Sequence, residues 1–303
     1  MSILIDESTQ YCIQGITGKQ GSRGAVSMLS VGSKVVCGVT PGKGGQEVEG
    51  IPVYNSVREA QLAGHQIDCS VIYVPPRFAK GAIVEAIESG VSLVNVITEN
   101  ISVHDMAHCL AVAKKHKSRI VGATSAGIYS VGKSKSGSIA SGKAQVAFTQ
   151  GAVGVISRSG GMSSETSLVL TQAGLGQSTV VSIGSDILMG TRFTELVALF
   201  EEDTETEGIV LFGEIGGSSE EDLASYLLAR REAGRPYAKP IVAFISGEFA
   251  AQFSDVSLGH AGAIIEGNIG TREGKVRALQ EAGVIIATYH HQVGELMKDA
   301  LEK

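Results

Sequence analysis

The chain has 303 residues, 39 of them glycine, no tryptophan and a formal charge of −6. That length suits about two domains of ordinary size, and a hydrophobic share of 43% supplies cores for both, which excludes a disordered chain. The acidic balance argues against non-specific nucleic-acid binding, and no apolar run is long enough to span a bilayer, so neither nucleic acid nor membrane is expected as a partner.

In chain order, the first half carries β-branched runs at "YCIQGITG", "KVVCGVTPG", "SVIYVPP", "LVNVITEN" and "RIVGATSAG". Four of the five close on Gly or Pro, and they give way to helix-like sequence such as "AKGAIVEAIESG". Continuous apolar strands alternating with helices predict a parallel sheet covered on both faces. The second half repeats the rhythm at "AVGVISRSGG", "TVVSIGSD", "GIVLFGEIGG", "PIVAFISG" and "GVIIAT", with "EEDLASYLLARREAG" a helix between them. Two such series predict two doubly wound α/β domains. Residues 126–145, "AGIYSVGKSKSGSIASGKAQ", are Gly/Ser-rich with Lys133, Lys135 and Lys143. They read as a solvated connector between domains at 1–125 and 146–303. The N-terminus does not read as a charged–apolar–cleavage leader, and Cys12, Cys37, Cys69 and Cys109 form no CxxC pair. Reduced thiols in a cytoplasmic or mitochondrial-matrix protein are expected, with no metal site.

Function should sit in the loops at the carboxyl ends of these strands. In the first half, "CIQGITGKQGSRGAVSML" sets Gly15, Gly18, Gly21 and Gly24 between a strand and a helix. Such a turn presents backbone N–H groups and a helix N-terminus to a phosphate. The second strand ends "CGVTPGKGG", with Lys43 where a ribose-binding carboxylate would stand in a nicotinamide site. A lysine there suits an extra phosphate, as in NADP or coenzyme A. In the second half, "VGVISRSGGMSSE" and "IVLFGEIGGSSEEDLASYLL" each lead from a strand through a Gly-rich turn into a helix. Ser218 and Glu221 have capping-box spacing. Two helix N-termini in one domain can hold one oxyanion, which makes Ser159, Gly160, Gly161, Gly216 and Gly217 candidate phosphate and substrate residues.

His260 stands between Gly259 and Gly262 in "LGHAGAII". Neutral imidazole is a capable nucleophile toward phosphorus near neutral pH. Glu214 is a candidate acceptor for its second ring nitrogen. His104 and His108 have metal-pair spacing but no third ligand, so a solvated helix face is expected. His290 and His291 are expected at the surface.

The stretches "MSILID", "QGITGKQG", "GVTPGKGG", "VIYVPP", "VITE", "VISRSG", "GEIGGSSEE" and "GHAGAII" run in this order across nearly the whole chain. Together they resemble the α subunits of succinyl-CoA synthetase, acyl-CoA ligases that form ADP or GDP. The resemblance implies a Rossmann-like CoA-binding domain followed by a flavodoxin-like ligase domain. It implies that Thr17, Gly18, Lys19 and Gln20 contact CoA, with Lys43, Ile97, Thr98 and Glu99. His260 matches the phosphorylated histidine and Glu214 the glutamate that supports it. The family's ATP or GTP, with Mg, binds on a separate ATP-grasp β subunit, in a heterodimer or a dimer of heterodimers. Three steps follow from the resemblance: phosphoryl transfer to His260, formation of an acyl phosphate from a small carboxylic acid, and displacement of phosphate by the CoA thiol.

The chain departs from the family pattern at three places. "SRSGGMSSE" replaces "SRSGTLTYE", so Ser164 stands for a tyrosine near the acyl substrate; "SRSGGMS" and "FSDVSLGHAGA" look closer to ATP-citrate lyase and citryl-CoA synthetase. "GATSAG", residues 122–127, replaces "GPNCPG", and "IGSD", residues 183–186, replaces "IGGD". Succinate is the default acid and citrate or malate the alternative. A non-catalytic CoA-binding subunit and an NADP-dependent oxidoreductase are the readings from other classes.

Overall fold

A computed structural model describes residues 2–248 and 270–303, so His260 and the whole of "GHAGAII" lie outside the described residues. The first half runs β1 (Gln10–Gln14), α1 (Lys19–Leu29), β2 (Lys34–Val39), β3 (Glu47–Val48), β4 (Ile51–Tyr54), α2 (Val57–Leu62), β5 (Cys69–Ile72), α3 (Pro76–Glu88), β6 (Leu93–Val96), α4 (Val103–His116) and β7 (Arg119–Val121). These strands pair in the order β3-β4-β2-β1-β5-β6-β7, parallel throughout except for the short β3–β4 hairpin. β5 and β6 are buried at every residue, as strands covered on both faces must be. Local chemistry sets the helix starts: Ser56 and Ser102 cap α2 and α4 by accepting from the N–H groups of Glu59 and Asp105, and Pro76 opens α3 with a preset φ.

The second half runs β8 (Gly127–Ser130), β9 (Ser134–Gly137), β10 (Gln150–Ser157), α5 (Gly160–Gln172), β11 (Gln177–Ser182), α6 (Phe193–Glu202), β12 (Gly208–Gly213), α7 (Ser219–Glu232), β13 (Ile241–Ile245), α8 (Arg272–Glu281), β14 (Ile285–Ile286) and α9 (Val293–Leu301). Its sheet has the order β14-β13-β12-β10-β11-β8-β9. Helices α5 and α9 pack on one face and α6, α7 and α8 on the other, so the chain winds away from β10 in both directions. The two expected α/β units are therefore present: a parallel Rossmann-like sheet and a mixed, flavodoxin-like one.

The connector is where expectation and structure part. Residues 127–137 are the edge hairpin of the second sheet, with β8 antiparallel to β11 and β9 antiparallel to β8. The hairpin is buried although it is rich in Ser and Lys, because polar groups of the first half meet it. The hydroxyls of Tyr11 and Ser134 share a 2.7 Å hydrogen bond, and Asn95 Nδ2 donates to Ser136 Oγ at 2.9 Å. Ser33 Oγ donates to the carbonyl of Lys135 at 2.9 Å and accepts from its N–H at 2.8 Å. Lys135 Nζ, fully buried, donates to Ser27 Oγ at 2.7 Å, and burial pulls its ammonium down to about 8. Apart from Gly132 at the hairpin turn and Ser138, exposure is confined to the tail of the stretch, including Lys143.

All four cysteines are buried free thiols. Burial pushes Cys69 up to about 12 and Cys109 to about 11, and a hydrogen bond with Cys37, together with burial, holds Cys12 well above its ordinary range. These three are therefore protonated and unreactive at neutral pH. His104 and His108 lie exposed on α4, and no group of three or more His, Cys, Asp or Glu able to hold a metal occurs among the described residues. No helix among them is long and apolar enough to cross a membrane.

Candidate functional site

Both sheets change winding direction at a central strand, and the loops at those two points carry the sequence motifs. In the first sheet the point lies between β1 and β5. A cavity of about 700 Å³ opens there, lined by Gly15, Thr17, Gly18, Lys19 and Gln20 after β1, by Thr40 and Pro41 after β2, and by Tyr73, Val74, Pro75 and Phe78 after β5. Gly18 caps α1 without a side chain, so nothing local occupies the first-turn N–H groups that every helix leaves without an intrahelical partner. One end of the cavity is thus a helix N-terminus suited to phosphate, and the wall opposite is apolar.

Four of the expected CoA contacts, Thr17 to Gln20, line this cavity. The others do not. Lys43 is exposed in the turn after β2, its N–H donating to the carbonyl of Thr40 at 3.0 Å. Glu99 is exposed, and Thr98 is buried one layer behind the wall, its hydroxyl donating to the carbonyl of Val74 at 2.7 Å.

In the second sheet the winding reverses between β10 and β12. β10 ends at Ser157, and Ser159 caps α5, its Oγ accepting from the N–H of Met162 at 3.4 Å. The N–H of Ser159 donates to Ser157 Oγ at 3.1 Å, which leaves Gly160 and Gly161 to open the helix. Ser164 is half-buried on the first turns of α5. β12 delivers Glu214, buried with 9% exposure, and then the turn through Gly216 and Gly217 into α7. The N–H of Gly216 is already engaged, donating to the carbonyl of Gly270 at 2.8 Å. Gly217 and the first turn of α7 supply the remaining N–H groups at this helix start.

A cluster of buried charge, absent from the sequence reading, holds this turn. Lys275 Nζ donates to the carbonyls of Glu214 and Gly216 at 2.9 and 2.8 Å and pairs with Glu220. Arg158 Nη1 donates to the same two carbonyls at 3.3 and 2.8 Å and lies 3.7 Å from Glu220 Oε1. Glu220 Oε1 accepts from the N–H of Glu214 at 3.2 Å. The two cations thus neutralise a carboxylate that would otherwise oppose an anion at the start of α7. Arg158 stood in a quoted motif, whereas Lys275 lies 61 residues beyond Glu214 and carries no local signal. The capping box expected at Ser218 and Glu221 does not form. Glu221 Oε1 accepts from the N–H of Gly270 at 3.0 Å, and Ser218 Oγ donates to Asp222 at 3.3 Å.

His290 also departs from expectation. It is half-buried between the rings of Phe212 and Phe244, with Nε2 2.9 Å from Thr166 Oγ1 on α5. Burial lowers its imidazole below the ordinary 6.5; Glu165 opposes that and His291 adds to it. The unfolded chain therefore binds a proton that the folded chain refuses, and stability falls as pH drops through about 6.5, levelling off below the depressed folded value. Melting midpoints between pH 8 and 5 are expected to fall less in His290→Leu than in the unaltered chain. Equal slopes would refute this role.

Comparison with known proteins finds one family in each half of the chain. Residues 6–100 match the CoA binding domain family and residues 156–285 the CoA-ligase family. The chain is 47% identical to succinate–CoA ligase [ADP-forming] subunit alpha 1 of Archaeoglobus fulgidus, over 95% of this chain and 94% of that one. It is 38% identical to an ADP-forming sulfoacetate-CoA ligase subunit of Bilophila wadsworthia, over 99% of this chain and 100% of that one. Its fold superposes on an ATP citrate lyase of Methanosaeta concilii solved with (3S)-citryl-CoA, with a TM-score of 0.89 at 23% identity. That match covers 99% of this chain and 50% of the lyase, so the chain spans about half the length of that enzyme.

Proposed function

This chain belongs to the family of succinate–CoA ligase α subunits and is the α subunit of an acid–CoA ligase, and from that premise we propose that it carries a phosphoryl group on His260 and passes it to a small dianionic acid. The observation that carries this reading is the pairing of sites at the two winding reversals. One is a phosphate-suited, apolar-walled cavity, and the other is two helix N-termini held together by buried charge.

CoA is the natural occupant of the first. Its diphosphate meets the N–H groups at Gly18 to Gln20, its apolar arm lies along Tyr73, Val74 and Phe78, and the exposed ammonium of Lys43 reaches an outer phosphate. Ile97, Thr98 and Glu99 border the route that the arm takes toward the second domain. His260 Nε2 attacks the terminal phosphorus of ATP, with ADP leaving. The acid's carboxylate oxygen then takes the phosphoryl group and frees the imidazole. Finally the CoA sulfur attacks the acyl carbon, phosphate departs with the carbon–oxygen bond, and the thiol proton passes to solvent or to phosphate. Ser159, Gly160, Gly161 and Gly217 hold the transferring oxygens, the Gly216 turn fixes Gly217, and Glu214 accepts from the second imidazole nitrogen. ATP or GTP with its Mg belongs to an ATP-grasp β subunit.

Succinate is the first acid to test. Ser164, with far less volume than a tyrosine, leaves room for a bulkier or more polar head group, and a sulfonate carries the same charge as a second carboxylate. A panel of succinate, sulfoacetate, malate and citrate with the reconstituted enzyme decides the order; a strong preference for citrate would overturn succinate. The ligase reading itself is tested by mixing the chain with its β subunit and labelled ATP. Acid-labile, base-stable label on this chain is the expected result, and its absence would overturn the reading.

A further inference from the structure

We propose that Thr124 and Asp186 are a positioning pair for the thioester-forming step, holding the crossing over which the CoA arm passes from its cavity to the start of α5. The inference rests on the ligase reading and adds to it two residues that the family resemblance does not supply. Both lie in the loops where this chain departs from the family pattern, residues 122–127 and 183–186.

Thr124 has φ +59°, a left-handed conformation that a β-branched residue rarely adopts. Such strain persists only where the surroundings over-determine it, and it gathers at functional positions. Here the surroundings come from both domains. On the CoA side, the N–H of Thr124 donates to the carbonyl of Thr98 at 3.1 Å, and the Thr98 hydroxyl donates to the carbonyl of Val74, a cavity residue. On the ligase side, Thr124 Oγ1 donates to Asp186 Oδ2 at 3.2 Å, and Asp186 Oδ1 accepts from the N–H of Ile187 at 3.1 Å. Next along the chain, Ser125 Oγ donates to the carbonyl of Ser182 at 2.6 Å, and the N–H of Ala126 donates to Ser182 Oγ at 3.1 Å.

The two loops touch backbone to backbone. Gly184 has φ +96°, and a Cβ there would lie 2.0 Å from the carbonyl oxygen of Ala123. Ala126 packs on the first residue of α5, where a Cβ on Gly160 would lie 2.8 Å from the alanine methyl. Residues 122–127 are therefore a strap from the cavity wall to the helix that faces the acyl group. Thr124–Asp186 is the side-chain bond that ties the strap to the neighbouring loop.

The chemistry at this crossing is unforgiving of placement. The sulfur must approach the acyl carbon from above the plane of its carbonyl to form a tetrahedral adduct, from which phosphate then leaves, and a shift of about 1 Å in such a step can slow it by about 100-fold. The pair takes no proton and forms no bond in the step. Its work is geometric, so it should matter after the phosphoenzyme forms and not before.

Thr124→Val tests this because valine keeps the shape and the β-branch, and with them the backbone strain, while removing only the hydroxyl. With the β subunit present, labelling of the chain by ATP is expected to match the unaltered enzyme. CoA-dependent thioester formation from succinate is expected to fall about 10- to 100-fold in kcat with little change in the KM for CoA. Thr124→Ser, which keeps the hydroxyl, is expected to restore most of that rate. Equal slowing of both steps, or identical behaviour of the valine and serine variants, would overturn the proposal while leaving the ligase reading intact. No label on the unaltered chain would instead remove the ligase reading, and this pair's role with it.

Discussion

His260→Ala is expected to abolish labelling of the chain by ATP and to lower thioester formation by on the order of 10⁴-fold or more, to the level of the uncatalysed exchange. Alanine offers no nucleophile, and no other described histidine stands ready to replace the one lost. His65 bonds the hydroxyl of Tyr54, His104, His108 and His116 ride on α4, His290 is wedged between two phenylalanines against Thr166, and His291 stacks on Tyr289. The buried thiols of Cys12, Cys69 and Cys109 are protonated at neutral pH and do not compete. CoA affinity is expected to be unchanged, because the cavity is built entirely from residues 14–85 of the other domain. Calorimetric titration with CoA beside the labelling assay separates the two outcomes. Residual label in the alanine variant would place the phosphoryl group elsewhere and sink the phosphohistidine route.

Much of this was legible in the sequence, and the failures share one cause. All ten apolar runs read as strands became strands, because a strand buried on both faces announces itself by continuous Val, Ile and Leu. The Gly-rich turns also stand where they were expected, at the carboxyl ends of β1, β10 and β12. What misled was polarity whose partners lie far away in the chain. "GIYSVGKSKSG" reads as solvated, yet it is a buried hairpin because Tyr11, Ser27, Ser33 and Asn95 supply hydroxyl and amide partners across the domain boundary. Ser218 and Glu221 have capping spacing, but the N–H of Gly270 claims the glutamate. His290 reads as a surface residue because nothing nearby in sequence foretells Phe212, Phe244 and Thr166 closing over it. Local pattern reports what a segment can do; competition for its polar atoms is settled by the fold.

That competition is sharpest at Lys275. Lys275→Met is expected to destabilise the chain by about 3–5 kcal/mol, the range for breaking a buried ion pair by removing one partner. The lysine is fully buried, and Glu220 beside it is 1% exposed. Without the ammonium, the Glu220 carboxylate keeps, among the described residues, the N–H of Glu214 at 3.2 Å and Arg158 at 3.7 Å. The carbonyls of Glu214 and Gly216 each lose one of two cationic donors. Methionine fills the volume, so the loss is electrostatic rather than a cavity. Denaturant midpoints measure it, and the double variant Lys275→Met/Glu220→Leu is expected to recover part of it, since no orphaned carboxylate remains. The functional consequence should outlast the recovery. With the carboxylate gone the domain refolds, but the turn that aims Gly217 has lost its lysine anchor, so labelling by ATP should stay slow in the double variant. A single-variant loss below about 1 kcal/mol, or normal labelling in the double variant, would show that Arg158 alone holds the turn.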